Sequence, residues 1–124
     1  MAVELWDKKY EAMPLKELKE LQLKRLKELV NRVYSKNKFY KKKLDEAGVK
    51  PTDIKQLSDI EKLPFLTKND LREYYPFGLV CTELDDIVEV HASSGTTGKP
   101  VVGPYTANDV DLWGEVMALS LIHI

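Results

Sequence analysis

The sequence has almost no cysteine and no long apolar run, and each shortage excludes a class of protein. Cys81 is the single cysteine among 124 residues, so an internal disulfide is excluded. No apolar stretch approaches the roughly 20 residues that a membrane-spanning helix requires. The first residues lack a basic segment followed by an apolar core, so no signal peptide is predicted. These absences favour a globular domain in the reducing cytoplasm.

The two halves of the chain carry net charges of opposite sign, with relatively few acidic residues in the first half and few basic residues in the second. Residues 1–50 contain 14 Lys and Arg against 8 Asp and Glu, whereas residues 51–124 contain 5 against 12. A basic half raises the question of nucleic acid or an anionic membrane as a partner. The lysines are interleaved with acidic residues and no groove-reading motif accompanies them, so a solvated helix face is the favoured interpretation. We expect neither nucleic acid nor membrane as a partner.

Helical patterns occupy the first 85 residues. Behind Pro14, apolar residues recur at three- and four-residue steps from Leu15 to about Tyr34, which predicts a long core-facing helix. A coiled coil is the alternative, although two or three heptads are few. Asn37 is placed to cap a second helix, and Gly48 is placed to end it. The apolar stripe of the first helix consists of Leu15, Leu18, Leu23, Leu26, Leu29, Val30 and Val33.

Shorter elements are predicted by capping patterns. Ser58, Thr67 and Thr106 are each followed three residues later by an acidic residue, which is the capping-box spacing of a helix start. The first pattern predicts a short turn before Pro64, the second a short helix before Pro76, and the third a helix beyond residue 106. Before all of these, residues 4–13 carry aromatic and apolar anchors typical of an arm that packs on a larger body.

The pattern changes near residue 86. Ile87, Val88 and Val90 predict a strand, expected to be buried on both faces in the manner of a parallel strand. Val101 and Val102 predict a short second strand. Strand, glycine-rich segment, strand and helix form an arrangement in which phosphate loops occur. We therefore divide the chain into a helical region (1–85), a strand–loop–strand–helix unit (86–118) and an atypical, truncated end (119–124).

The glycine-rich segment has the residue types that a polyphosphate site needs. Its two glycines permit positive φ and close approach of the backbone to a ligand, and successive N–H groups form an anion-binding nest. Its four hydroxyls donate hydrogen bonds, and its lysine adds a mobile positive charge. The predicted phosphate-binding residues are Ser93, Ser94, Gly95, Thr96, Thr97, Gly98 and Lys99.

Two widespread nucleotide-binding motifs fit this segment less well. In the nucleoside-triphosphatase P-loop four residues separate the glycines, but only two separate Gly95 from Gly98. Pro100 also stands where that motif has the Ser or Thr that holds magnesium. The dinucleotide fingerprint G-x-G-x-x-G is absent. The remaining alternative is a polar turn without a ligand, which the eight-residue string as a whole disfavours.

The string SSGTTGKP at 93–100 resembles the phosphate-binding signature of the adenylate-forming superfamily. The flanking segments LPFLTKNDLR (63–72), YPFGL (75–79) and HA (91–92) resemble phenylacetate–CoA ligases, as does the opening with Trp6, Glu11 and Met13. The resemblance covers roughly residues 4–118. It implies an α/β fold, namely the start of the large amino-terminal domain of an adenylate-forming enzyme. This part is expected to be mostly helical, with one or two short strands flanking the loop.

The resemblance also implies a reaction. Such ligases activate an aryl acid with ATP and Mg²⁺, release pyrophosphate, and pass the acyl group to coenzyme A as co-substrate. The loop is then expected to hold the ATP phosphates, through direct contacts of Ser94, Thr96 and Thr97 and through the charge of Lys99. A homodimer is compatible with the resemblance.

The adenine, magnesium, aryl-acid and coenzyme A sites of such enzymes are expected downstream of residue 124. We therefore predict no catalytic residue and no metal ligand in this fragment, and we expect it to be inactive alone. The alternative function is a small helical binding module without catalysis.

Overall fold

The computed structural model describes residues 4–94, 98 and 100–122. The chain is helical up to residue 86 and then forms a hairpin followed by a helix. The helices are α1 (Lys8–Glu11), α2 (Leu15–Lys36), α3 (Lys38–Glu46), α4 (Lys68–Glu73) and α5 (Ala107–Leu121). The strands are β1 (Ile87–Ala92) and β2 (Val102–Thr106), and 3₁₀ turns cover Pro51–Asp53, Leu57–Lys62 and Leu84–Asp86. The predicted fold class, mostly helical with two short strands around the loop, is confirmed.

The boundaries of α2 and α3 follow the sequence signals. Pro14 directly precedes α2, where its missing N–H is not needed. Asn37 ends α2 and starts α3, because its side-chain oxygen accepts a hydrogen bond of 3.0 Å from the N–H of Phe39. Gly48, with a φ of 68°, occupies the left-handed conformation just after α3. All three predicted boundaries are confirmed.

The hydrophobic core lies against the second half of α2. Its fully buried members are Val30, Leu44, Val49 and Ile54, and Leu23, Leu26, Val33, Tyr34 and Leu63 pack partly buried around them. The predicted stripe is wrong for Leu15 and Leu29, which are 65% and 55% exposed. Helix α3 and the first two 3₁₀ turns are the elements that pack most against α2.

The predicted cap at Ser58 is wrong. The turn begins two residues earlier than predicted, with Gln56 as its N-cap and Leu57 as its first residue, so the acidic residue in its third position is Asp59. The Asp59 carboxylate is buried and accepts hydrogen bonds from the N–H groups of Lys55 (2.7 Å) and Gln56 (2.9 Å). The Lys62 ammonium, 2.9 Å away, and these backbone N–H groups hold the pKa of Asp59 well below its usual range.

The other two capping boxes are confirmed. Asp70 accepts from the Thr67 N–H at 2.7 Å at the start of α4, and Asp109 accepts from the Thr106 N–H at 2.9 Å at the start of α5. Asp70 also forms a half-buried ion pair of 2.8 Å with Lys43, which ties α4 to α3. This ammonium, together with the Thr67 donors, lowers the pKa of Asp70 to about 2.

The two strands pair antiparallel, which corrects the expected buried, parallel-type strand. In the pairing Ala92 lies opposite Val102, and His91 lies opposite Gly103. Five of the six β1 residues are exposed. Within the described residues β1 pairs with β2 alone, and a two-stranded sheet covers neither of its faces by itself. The second strand also starts at Val102 instead of Val101 and continues to Thr106.

Pro104 lies in β2 without removing a hydrogen bond between the two strands. Antiparallel pairs alternate between hydrogen-bonded and non-hydrogen-bonded positions. The Ser93 N–H donates to the Val101 carbonyl at 2.9 Å, which marks that pair as hydrogen-bonded. By alternation, Pro104 opposite Val90 is in a non-hydrogen-bonded pair. Its nitrogen therefore faces the outer edge of β2, where proline is tolerated.

The amino-terminal arm reaches both halves of the molecule. The indole N–H of Trp6 donates to the Glu115 carboxylate on α5 at 2.7 Å. The Arg25 guanidinium of α2 lies 5.6 Å from the centre of the Tyr10 ring in α1. None of the helices within residues 4–94 and 100–122 has both the length and the apolar character needed to cross a membrane.

Candidate phosphate-binding site

The hairpin presents the two ends of the predicted phosphate loop side by side. Ser93 follows β1 directly and Val101 precedes β2 directly. Two hydrogen bonds of 2.9 Å join them: the Ser93 N–H donates to the Val101 carbonyl, and the Val101 N–H donates to the Ser93 hydroxyl oxygen. We call this pair of residues the neck of the loop. The segment between its two members is therefore closed at its base.

The described residues of the segment fit the expected backbone. Gly98 has a φ of 129°, which side-chain-bearing residues rarely adopt, and an added Cβ would meet nothing within 4 Å. Ser94 and Gly98 are exposed, so their polar groups are open to a ligand. Gly95, Thr96, Thr97 and Lys99 lie outside the described residues. Phosphate contact by the seven residues stays a prediction.

An aromatic cluster lies below the neck. The His91 ring centre is 5.1 Å from that of Tyr105 and 5.4 Å from that of Trp113, and the last two rings stack at 5.5 Å. The His91 imidazole is also 2.8 Å from the Glu89 carboxylate. These contacts join β1, β2 and α5, so side chains from three elements pack together next to the base of the loop.

The Tyr105 ring packs over the backbone of Gly103. A Cβ added at Gly103 would lie 3.2 Å from the Tyr105 hydroxyl oxygen and 3.3 Å from a ring carbon. The sequence predicts His91 as a hydrogen-bonded structural residue, Tyr105 as a brace for the loop and Trp113 as a core residue. Trp113 is instead half-exposed, and its contact with His91 cannot be inferred from the sequence, because it depends on how α5 packs against the hairpin.

A groove separates the hairpin from the helical half. Its lining includes Arg32 of α2, Tyr40 of α3, Cys81, and Val102 of β2. Burial raises the pKa of the Cys81 thiol, and the Arg32 charge only partly opposes this effect. This shift disfavours the thiolate, which is the nucleophilic form of a cysteine side chain. In the described part of the chain, no three His, Cys, Asp or Glu side chains are grouped as a metal site would require.

Several known proteins similar to this chain are phenylacetate–coenzyme A ligases. Over 117 residues the chain is 47% identical to the phenylacetate–coenzyme A ligase of Thermus thermophilus, covering 94% of this chain and 26% of the relative. It is 46% identical over 111 residues to the enzyme of the same name from Escherichia coli, covering 90% of this chain and 25% of that enzyme. The chain therefore spans about a quarter of the length of these relatives. No protein-family model matches it.

Solved structures give the same result at the level of the fold. The chain superimposes with a TM-score of 0.83 on 2-hydroxyisobutyryl-CoA ligase in complex with its acyl-AMP and CoA, at 33% identity. The match covers 93% of this chain and 25% of that one. A postadenylation-state structure of the same ligase superimposes with a TM-score of 0.75. Sequence and fold together show that nearly the whole chain is similar to about a quarter of the phenylacetate–CoA ligases and has the fold of the matching part of an adenylate-forming CoA ligase.

Proposed function

We propose that this chain supplies the ATP phosphate-binding loop of an aryl-acid–CoA ligase. The complete enzyme forms an acyl-adenylate from an aryl acid and ATP and then transfers the acyl group to coenzyme A. The observation that carries the proposal is the closed hairpin neck at Ser93 and Val101, which presents the glycine-rich segment as one loop in a chain 47% identical to such ligases.

The chemistry of the first step explains why a loop of this composition is useful. When the acid carboxylate attacks the α-phosphorus of ATP, negative charge builds up on the departing pyrophosphate. Donors that are already oriented toward that charge stabilise the transition state more than the ground state. We assign this task to the hydroxyls of Ser94, Thr96 and Thr97, to the backbone N–H groups at Gly95 and Gly98, and to the charge of Lys99. Magnesium arrives with ATP.

The proposal concerns the complete enzyme, because the chain spans about a quarter of its relatives. We propose the region 1–85 as the helical support, 86–118 as the unit that carries the loop, and 119–124 as an atypical end. The proposed partners are therefore ATP, an aryl acid and coenzyme A. The homodimer and the cytoplasmic location stay predictions.

A chimera tests the proposal directly. Residues 1–118 of this chain would replace the matching segment of the Thermus thermophilus ligase, and aryl-acid-dependent exchange of pyrophosphate into ATP would be measured. We expect exchange with the chimera, and a decrease of about tenfold or more for Lys99→Ala and Gly95→Ala, because each removes a feature aimed at the phosphates.

The matched control is Lys62→Ala. Lys62 lies outside the glycine-rich segment, in the second 3₁₀ turn, and its ammonium pairs with Asp59. The variant should leave the exchange rate close to that of the chimera. If Lys99→Ala and Gly95→Ala both exchanged pyrophosphate at the parental rate, the assignment of the loop would be wrong.

A further inference from the structure

The neck of the loop departs from a regular antiparallel ladder in one bond. In a regular hydrogen-bonded pair, two residues exchange both of their N–H···O=C bonds. Here the Val101 N–H donates to the side-chain oxygen of Ser93 at 2.9 Å, in place of the Ser93 carbonyl. The Ser93 hydroxyl therefore takes the place of a backbone carbonyl in the last pair of hydrogen bonds between the two strands.

This bond restricts what the Ser93 hydroxyl does elsewhere. A serine hydroxyl has one donor and two acceptor lone pairs. One lone pair is used by Val101, which holds the side chain across the hairpin and toward β2. Ser94 has the same functional group one position later and is not part of this rung. The two serines therefore differ in their hydrogen bonds. The sequence analysis counts both among the phosphate-binding residues and assigns a direct contact to Ser94.

We propose that Ser93 is a positioning residue that fixes the two ends of the phosphate loop, and that it is not itself a phosphate contact. This inference rests on the proposed function of the loop. Its geometric basis is the pair of hydrogen bonds between Ser93 and Val101.

The elements below the neck make such positioning effective. Two residue pairs from the neck, His91 lies opposite Gly103, and the cluster of His91, Tyr105 and Trp113 joins the hairpin to α5. A loop whose ends are joined above a supported base loses less conformational entropy when it binds a ligand than one with free ends. Ser93 is the link between that support and the loop.

The experiment compares Ser93→Ala, Ser93→Thr and Ser94→Ala by residue-resolved hydrogen exchange at the Val101 N–H. It uses the 124-residue chain and the chimera, both without nucleotide. We expect Ser93→Ala to speed exchange at Val101 by roughly two- to tenfold, the effect of losing one hydrogen bond. Ser93→Thr keeps the oxygen and should restore protection, and Ser94→Ala should match the parent. Equal exchange at Val101 in all variants of both proteins would overturn the proposal.

Pyrophosphate exchange by the same chimera variants separates this proposal from the proposed function. We expect Ser93→Ala to raise the KM for ATP several-fold and Ser93→Thr to recover most of that loss, because threonine retains the bond to Val101. A parental chimera without exchange activity would count against the proposed function, while the Val101 measurement would still decide the role of Ser93. A higher KM for ATP in Ser93→Ala with unchanged exchange at the Val101 N–H would favour direct phosphate contact and count against positioning.

Discussion

Asn37 connects the helical half to the segment that leads into the hairpin. Its side-chain oxygen caps α3, while its amide nitrogen donates to the carbonyls of Gly78 (2.9 Å) and Val80 (3.2 Å). The side chain is buried, so these bonds are not exchanged for bonds with water. One residue thus satisfies a helix end and fixes a loop 41 positions away.

Substitution of Asn37 should separate these two tasks. Asn37→Ala removes the cap and leaves two carbonyls without their donor, so we expect a loss of about 2–3 kcal/mol in the free energy of unfolding. Asn37→Asp keeps an oxygen for the Phe39 N–H but removes the amide donors, and should fall between the parent and the alanine variant. Urea unfolding measures both. Equal stability of the parent and the aspartate variant would show that the bonds to Gly78 and Val80 contribute nothing.

The sequence predicts that Asn37 caps α3, but it does not predict the hydrogen bonds of Asn37 to Gly78 and Val80. A cap depends on residues within three or four positions, so the pattern at 37–48 is sufficient to place it. The bonds to Gly78 and Val80 depend on tertiary packing between distant segments. The same division applies to the loop: its composition is visible in the string at 93–100, but the bond from the Val101 N–H to the Ser93 hydroxyl depends on the register of β1 and β2.

At the scale of elements, two capping boxes predicted from the same spacing had different outcomes. Thr67 and Ser58 show the same spacing to an acidic residue, yet only Thr67 forms the box. At the second position a competing acidic residue, Asp59, satisfies the N–H groups of Lys55 and Gln56. The spacing rule does not say which of several overlapping acceptors a short turn will use.

The two capping positions should therefore respond differently to truncation. Thr67→Ala removes the side-chain acceptor for the Asp70 N–H and should lower the free energy of unfolding by about 1 kcal/mol. Ser58→Ala, at an exposed position outside the box, should change it by less than about 0.5 kcal/mol. Thermal or urea unfolding of the two variants side by side is the measurement. A larger loss of unfolding free energy for Ser58→Ala than for Thr67→Ala would support Ser58 as a helix cap after all.

The sequence locates strand β1 correctly but not its surroundings. The run of Ile87, Val88 and Val90 indicates a strand because β-branched residues favour extended backbone. Its burial depends on which elements cover the sheet, and the chain spans only a quarter of its relatives. In the described residues Val88 and Val90 are 58% and 53% exposed. The apolar sequence of β1 is thus suited to surroundings that this chain does not provide alone.

At the scale of the whole molecule, the two halves differ in how well they are supported. The helical half has a buried core of four residues, with Ile54 among them, whereas no residue of the hairpin or α5 is buried in the described structure. Apolar burial is the main source of stability in a small domain. We therefore expect the helical half to be the more stable of the two.

Hydrogen exchange on the 124-residue chain tests this difference. Amides of α2 and α3 should exchange more slowly than those of Ile87–Ala92, because opening the hairpin exposes little additional apolar surface. Ile54→Ala should cost about 2–5 kcal/mol and speed exchange in α2 and α3, while Ile60→Ala, at an exposed position, should have little effect. Strong protection of Ile87–Ala92 in the isolated chain would contradict the expected order.

Because of Pro104 in β2, the two outer edges of the hairpin differ in how well they can pair with an additional strand. The nitrogen of Pro104 faces the outer edge of β2 and has no hydrogen to donate, so a strand added there would lack one rung of its ladder. Strand β1 contains no proline. When this segment meets the rest of a ligase chain, or another extended peptide, β1 is the edge that accepts a neighbouring strand without such a gap. The sheet is therefore built to be extended in one direction, away from β2.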